Sequence, residues 1–126
     1  MKSLIISAVI GVLIVAGSVA HSVCLEKISA QLAEKSVQLR EGIENNNYEE
    51  ALATADKIGS FVSEKRTVLE ATGKHNEIDE IEIAVRELTA YIKTRSMSDA
   101  LAKCGEVEFL CRHLPSNFKL KIENIL

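Results

Sequence analysis

A chain of 126 residues with 15 Lys and Arg against 18 Asp and Glu is one domain at most, and its net charge of −3 offers no basic stripe for nucleic acid. The absence of Trp and the presence of only two Tyr and three Phe leave no stacking platform for a nucleotide, nucleic acid or carbohydrate. Three cysteines cannot build a disulfide framework. Cys104 and Cys111 stand seven apart on one predicted helix, ~10.5 Å of rise and too far to bridge, so the cysteines read as small buried hydrophobes.

The first predicted element suits a membrane. From Ser3 to Leu25 no Asp, Glu, Lys or Arg occurs, and "LIISAVIGVLIVAGSVA" is broken only by small polar residues. The 23 positions between Lys2 and Glu26 span ~34 Å as a helix, against a hydrocarbon core of ~30 Å. Ser18, Val19 and Ala20 also form a small-x-small site at which a signal peptidase could cut, leaving His21 first. The full uncharged length fits an uncleaved anchor better than that cleaved signal. Acylation of Cys24 is disfavoured, because "HSVC" places His21 and Val23 where a lipobox has an aliphatic and a small residue. Lys27, Lys35 and Arg40 follow the span while only Lys2 precedes it, a bias toward a cytoplasmic C-terminal part. A domain of this length translocates largely regardless of that bias, so the expectation is a single-pass protein of the cytoplasmic membrane with its helical domain outside. Ser7 with Gly11, and Ala16 with Ala20, are small-xxx-small pairs that could support a homodimer through the span.

After the span the pattern is helical up to Pro115. Leu25, Ile28, Leu32, Leu39 and Ile43 form one apolar stripe running to about Asn45. Asn47 with Glu50 three residues on is a near relative of the capping box and opens a second helix. That helix carries Leu52, Ala55, Ile58, Val62 and Leu69 toward the core and stops near Gly73. A third begins around Asn76 with Ile78, Ile81, Val85, Leu88 and Ile92. A fourth begins at Ser96 or Ser98, carries Leu101, Cys104, Val107, Cys111 and Leu114, and is halted by Pro115. The tail "SNFKLKIENIL" alternates as an extended segment at Phe118, Leu120 and Ile122, yet Phe118, Ile122 and Ile125 equally fit a short helix; it is expected to dock on the helices.

"MSDALAKCGEV" echoes "YEEALATADKI" at an offset of 49, with Ala51, Leu52 and Ala53 matched by Ala100, Leu101 and Ala102. Tetratricopeptide arrays repeat at ~34 residues and need about three units, so this chain is no such scaffold. The echo is a helical hairpin used twice, through internal duplication or convergence on one helix start. The predicted fold is therefore all-α: an N-terminal transmembrane helix in residues 1–25, an antiparallel four-helix bundle of two αα-hairpins in 26–114, and a docking tail in 115–126.

The densest polar segment is "KHNEIDEIE" at the head of the third helix. His75 and Asp79, four apart, share a face, and with Glu77 they are the residues a divalent cation could use. A transition-metal site needs three or four convergent ligands, and acids in a first helical turn serve the macrodipole without one. The expectation is thus no metal, no cofactor and no catalytic residue: Gly-rich phosphate loop, HExxH and sequence-near Cys–His pair are all missing.

The "MKSLIIS" start, "N-x-x-x-A-L" opening the second helix, "HNEID-x-IE" with "L-x-x-YIK" after it, and the closing "ENIL" together resemble domain-of-unknown-function family 4363, nearly end to end. The resemblance implies a small membrane-anchored protein of the kind found in spore-forming Firmicutes, with one N-terminal span and a helical domain outside the cytoplasmic membrane. It supplies no activity. His75, Glu77 and Asp79 match the family's most distinctive polar segment, whereas "RTVLEATGK" stands where the family is often aromatic-rich. The function expected is a structural or protein-interaction module, not an enzyme, with an extracytoplasmic ligand or metal sensor as the alternative.

Overall fold

The computed structural model describes residues 1–71 and 75–114, and among them the chain is all-α, without a strand. Helix α1 spans Lys2–Glu44, α2 Tyr48–Glu70, α3 His75–Lys93 and α4 Met97–Arg112. The expected C-cap at Gly73, the stop at Pro115 and the docking of the tail lie outside the described residues.

Helix α1 is one unbroken element of 43 residues. The division expected at residue 25 is a change of environment and not of backbone: every large apolar side chain before Leu25 is exposed, and from Leu25 onward Ile28, Leu32, Leu39 and Ile43 are buried. No proline interrupts the run, so nothing removes an i→i−4 hydrogen bond where the two environments meet.

The two hairpin turns are the same structure written twice. Asn46 and Arg95 both take φ 58°. In the first turn Asn46 N–H donates to the Ile43 carbonyl and Asn47 N–H to that of Gly42; in the second Arg95 N–H donates to Ile92 and Ser96 N–H to Tyr91. These are the bonds of a Schellman motif, followed at once by the N-cap of the next helix. Asn47 Oδ1 accepts from Glu50 N–H at 3.4 Å while its Nδ2 donates to Glu50 Oε2 at 2.7 Å. Ser96 instead donates its hydroxyl hydrogen to Asp99. The Arg95 guanidinium lies 4.1 Å from the centre of the Tyr48 ring, so the two turns meet at one end of the molecule.

Each helix runs antiparallel to its neighbour, and α4 returns to α1. Ser29 meets Cys111 and Ser36 meets Cys104 along the α1–α4 seam. Arg66 on α2 reaches Asp79 and Glu82 near the start of α3, and Lys103 on α4 pairs with Glu87 on α3. Arg40 pairs with Glu108 between α1 and α4, and Lys35 sits 4.8 Å above the Phe61 ring between α1 and α2. Every seam therefore carries at least one charged link in addition to its apolar contacts.

The interior is filled by the predicted stripes, with one correction. Leu52 and Leu101, expected in the core, are only half-buried, and the alanines before them take their place: Ala51 and Ala100 are both 0% exposed. The reason is the closeness of the turn. At the first turn Ala51 packs against Gly42 of α1: a Cβ placed on Gly42 would meet the Ala51 backbone at 3.5 Å, so the two helices touch there through small residues. The third helix begins at His75, one residue before the expected start.

Candidate functional site

The polar segment singled out in the sequence opens α3, and an arginine of α2 organises it. Arg66 Nη1 donates to Glu82 at 2.8 Å, Nη2 to Asp79 at 3.0 Å, and Nε to Glu70 one turn further along its own helix. His75 Nδ1 lies 3.5 Å from Glu70 Oε1. The planar guanidinium fans its donors toward carboxylates on both helices, which a lysine's point charge would do less well. Hydrogen bonds to Asp79, then Glu82, then Glu70 hold the Arg66 pKa above its already high ordinary value.

This geometry separates the three residues a cation would have used. Asp79 turns to Arg66, His75 stands 61% exposed beside Glu70, and Glu77 lies in the first turn of α3. Among the described residues no group of three His, Cys, Asp or Glu side chains converges to hold a metal ion. The chemistry of the cluster is charge matching between α2 and α3, with three carboxylates on one guanidinium. Arg66 had a visible signal in the sequence, since Glu70 follows it at i+4. Its reach to the next helix had none, because that depends on the register across the hairpin.

A second feature lies further up the same pair of helices. Ala55, Asp56, Gly59 and Ser60 of α2, with Val85, Arg86 and Thr89 of α3, line an open groove of about 560 Å³. It exists because the α2 wall is built of small residues: around a Cβ at Gly59 only Val85 comes within 4 Å, at 3.8 Å. The groove opens to solvent, and its two charged groups, Asp56 and Arg86, make no hydrogen bond or ion pair among the described residues.

The two cysteines of α4 are buried and reduced. Burial pushes the Cys111 thiol up to about 12, and it raises that of Cys104 as well. Both therefore stay protonated and unreactive near neutral pH. Cys24 is exposed on α1.

Helix α1 is long and apolar enough to cross a membrane, and none of its most apolar window is buried against the rest of the chain. Core helices of water-soluble proteins pass the length test but are mostly buried; a signal sequence passes it too. A family model described as a domain of unknown function, DUF4363, matches residues 19–125. No curated protein and no solved structure matches the chain.

Proposed function

We propose, from the premise that the chain belongs to the DUF4363 family, that it is a non-catalytic, single-pass membrane protein that presents an antiparallel four-helix bundle outside the cytoplasm as a protein-interaction module. The observation that carries this reading is the exposed, apolar first half of α1, continuous with a second half that is built into the core. A helix of that kind needs a lipid surround for one half and protein for the other. Because α1 is unbroken, the helical domain is held at a fixed angle to the bilayer. The end of α2, the start of α3 and the end of α4 then lie near the membrane, and the paired hairpin turns face away from it.

An interaction module fits the rest of the surface better than a sensor does. A ligand sensor would use an enclosed pocket with convergent polar groups, whereas the groove between α2 and α3 is open. A metal sensor would use His75, Glu77 and Asp79, and Asp79 is engaged by Arg66. Large apolar side chains instead stand on the outside of the domain, Ile83 at 53% and Phe109 at 58% exposed. The test is alkaline carbonate washing of membranes, followed by photo-crosslinking from positions 83 and 109. Retention in the membrane with a discrete crosslinked product supports the reading. Release into the wash would remove the anchor, and retention without a product would remove the interaction role. Titration with zinc and manganese addresses the sensor: binding tighter than ~10 μM, lost in His75→Ala, would put that alternative first.

A further inference from the structure

We infer that the outer face of α2 and α3 is the surface through which two copies of this chain pair side by side in one membrane, with Asp56 of each copy against Arg86 of the other. The inference rests on the anchored reading above, because the anchor dictates the symmetry. Two copies whose α1 helices cross the same bilayer in the same direction can be related only by a two-fold axis along the membrane normal. With α1 continuous into the domain, that normal runs roughly along all four helices.

Such an axis, running alongside the α2–α3 face, sets α2 of one copy opposite α3 of the other and brings together residues of equal height. Gly59 lies beside Val85, and Arg66 reaches Asp79 and Glu82, so α2 descends as α3 rises. On that register Asp56 and Arg86 differ in height by less than about one helical turn, ~5 Å, which an arginine side chain covers. Both line the groove and neither has a partner among the described residues. The two-fold turns these two solvent-exposed, unpaired groups of opposite charge into two intermolecular pairs. A two-fold across the helices would set α2 against α2, and it would also reverse one span, which a shared membrane orientation forbids.

The remaining residues of the face suit close approach. Ala55, Gly59 and Ser60 give the groove its small-residue wall, and Ile83, one turn from Arg86 on the outer side of α3, is 53% exposed. The face is roughly 30 Å long and 20 Å wide. At about 600 Å² a side it belongs at the lower end of specific interfaces. Each α1 stays behind its own α2, so the spans remain apart and the Ser7–Gly11 pair takes no part.

The test is charge exchange in the full-length chain, co-expressed with two different tags and purified through both from membranes in mild detergent. Wild type should yield a doubly tagged pair. Asp56→Arg alone places two arginines together at each contact, Arg86→Asp alone places two aspartates together, and either should reduce recovery to background while circular dichroism stays helical. Asp56→Arg in one tagged chain co-expressed with Arg86→Asp in the other sets an arginine against an aspartate at both contacts, so the mixed pair should be recovered, as should the double variant Asp56→Arg with Arg86→Asp in one chain when paired with itself. Recovery of either single variant at the wild-type level, failure of the double variant, or a monomeric wild type would overturn the inference. So would loss of pairing in Gly11→Leu with survival in both charge variants, which would move the contact into the span. Carbonate washing of the same membranes separates the two failures: a retained but monomeric chain refutes the pairing alone, and an extracted chain refutes the anchor.

Discussion

Ser29 donates its hydroxyl hydrogen to the carbonyl of Cys111 at 2.6 Å, across 82 residues of sequence and within the core. That carbonyl would ordinarily accept from the residue four places on, and position 115 is a proline with no N–H to give. Ser29→Ala leaves a buried acceptor without its donor and should cost ~1–3 kcal/mol. Ser36→Ala should cost less than Ser29→Ala, since the Ser36 hydroxyl donates to the Leu32 carbonyl of its own helix, which does not depend on that donor. Guanidinium unfolding of the chain in mild detergent compares the two, and equal losses would mean that the α1–α4 contact is not what Ser29 supplies. The thiols give a pH signature. Burial lifts Cys111 from its ordinary 9.0 to about 12, so above pH 9 the unfolded chain loses a proton that the folded chain keeps. The stability is fully present below pH 9 and is lost between pH 9 and 12, at ~1.4 kcal/mol per pH unit for each such thiol. Cys111→Ala should therefore flatten the alkaline limb of the stability profile, whatever it does to stability at neutral pH.

At the scale of the elements, the turn used twice permits a controlled measurement. Arg95 occupies the left-handed region with φ 58°, which costs an ordinary residue ~1–2 kcal/mol, while its guanidinium over Tyr48 returns ~0.5–1 kcal/mol. Arg95→Gly loses the ring contact and relieves the backbone, so it should be nearly neutral. Arg95→Ala loses the contact and keeps the strain, and should be less stable than the glycine variant by ~1 kcal/mol on melting. The helices themselves were legible because apolar residues at Ile78, Ile81, Val85, Leu88 and Ile92 recur at helical spacing and each proved buried. The cap at Asn47 was legible from two residues alone. What the pattern could not show was which of two adjacent apolar residues faces inward at a helix start. Periodicity favours the larger, Leu52, but at the turn it is Ala51 that packs against Gly42 of α1 and is fully buried. Leu52→Ala should accordingly cost less than the ~2–5 kcal/mol of a fully buried leucine. The polar segment at His75 was legible as a cluster of acids in a first helical turn, but not as the partner of Arg66, because the guanidinium that binds Asp79 and Glu82 arrives from another helix.

For the whole molecule the deciding quantity is where the exposed apolar half of α1 gives way to the half packed against the other helices. Burial begins at Leu25, and a signal peptidase acting after Ala20 would cut within the same unbroken helix, about one turn before the core begins. Such enzymes cleave extended backbone, and this site sits in helix with every i→i−4 bond available, so cleavage should be slow and the anchor retained. A C-terminal tag on intact protoplasts should then be removed by added protease, while mass spectrometry of untreated membranes finds the chain beginning at Met1. The domain should resist that protease up to the end of α4, because its four helices share one core. A chain beginning at His21 in the medium would make this a secreted helical protein and would dissolve the symmetry argument for pairing. A protected tag would leave the span in place and turn the domain toward the cytoplasm, with the α2–α3 face still available to a second copy but every other partner drawn from the opposite compartment.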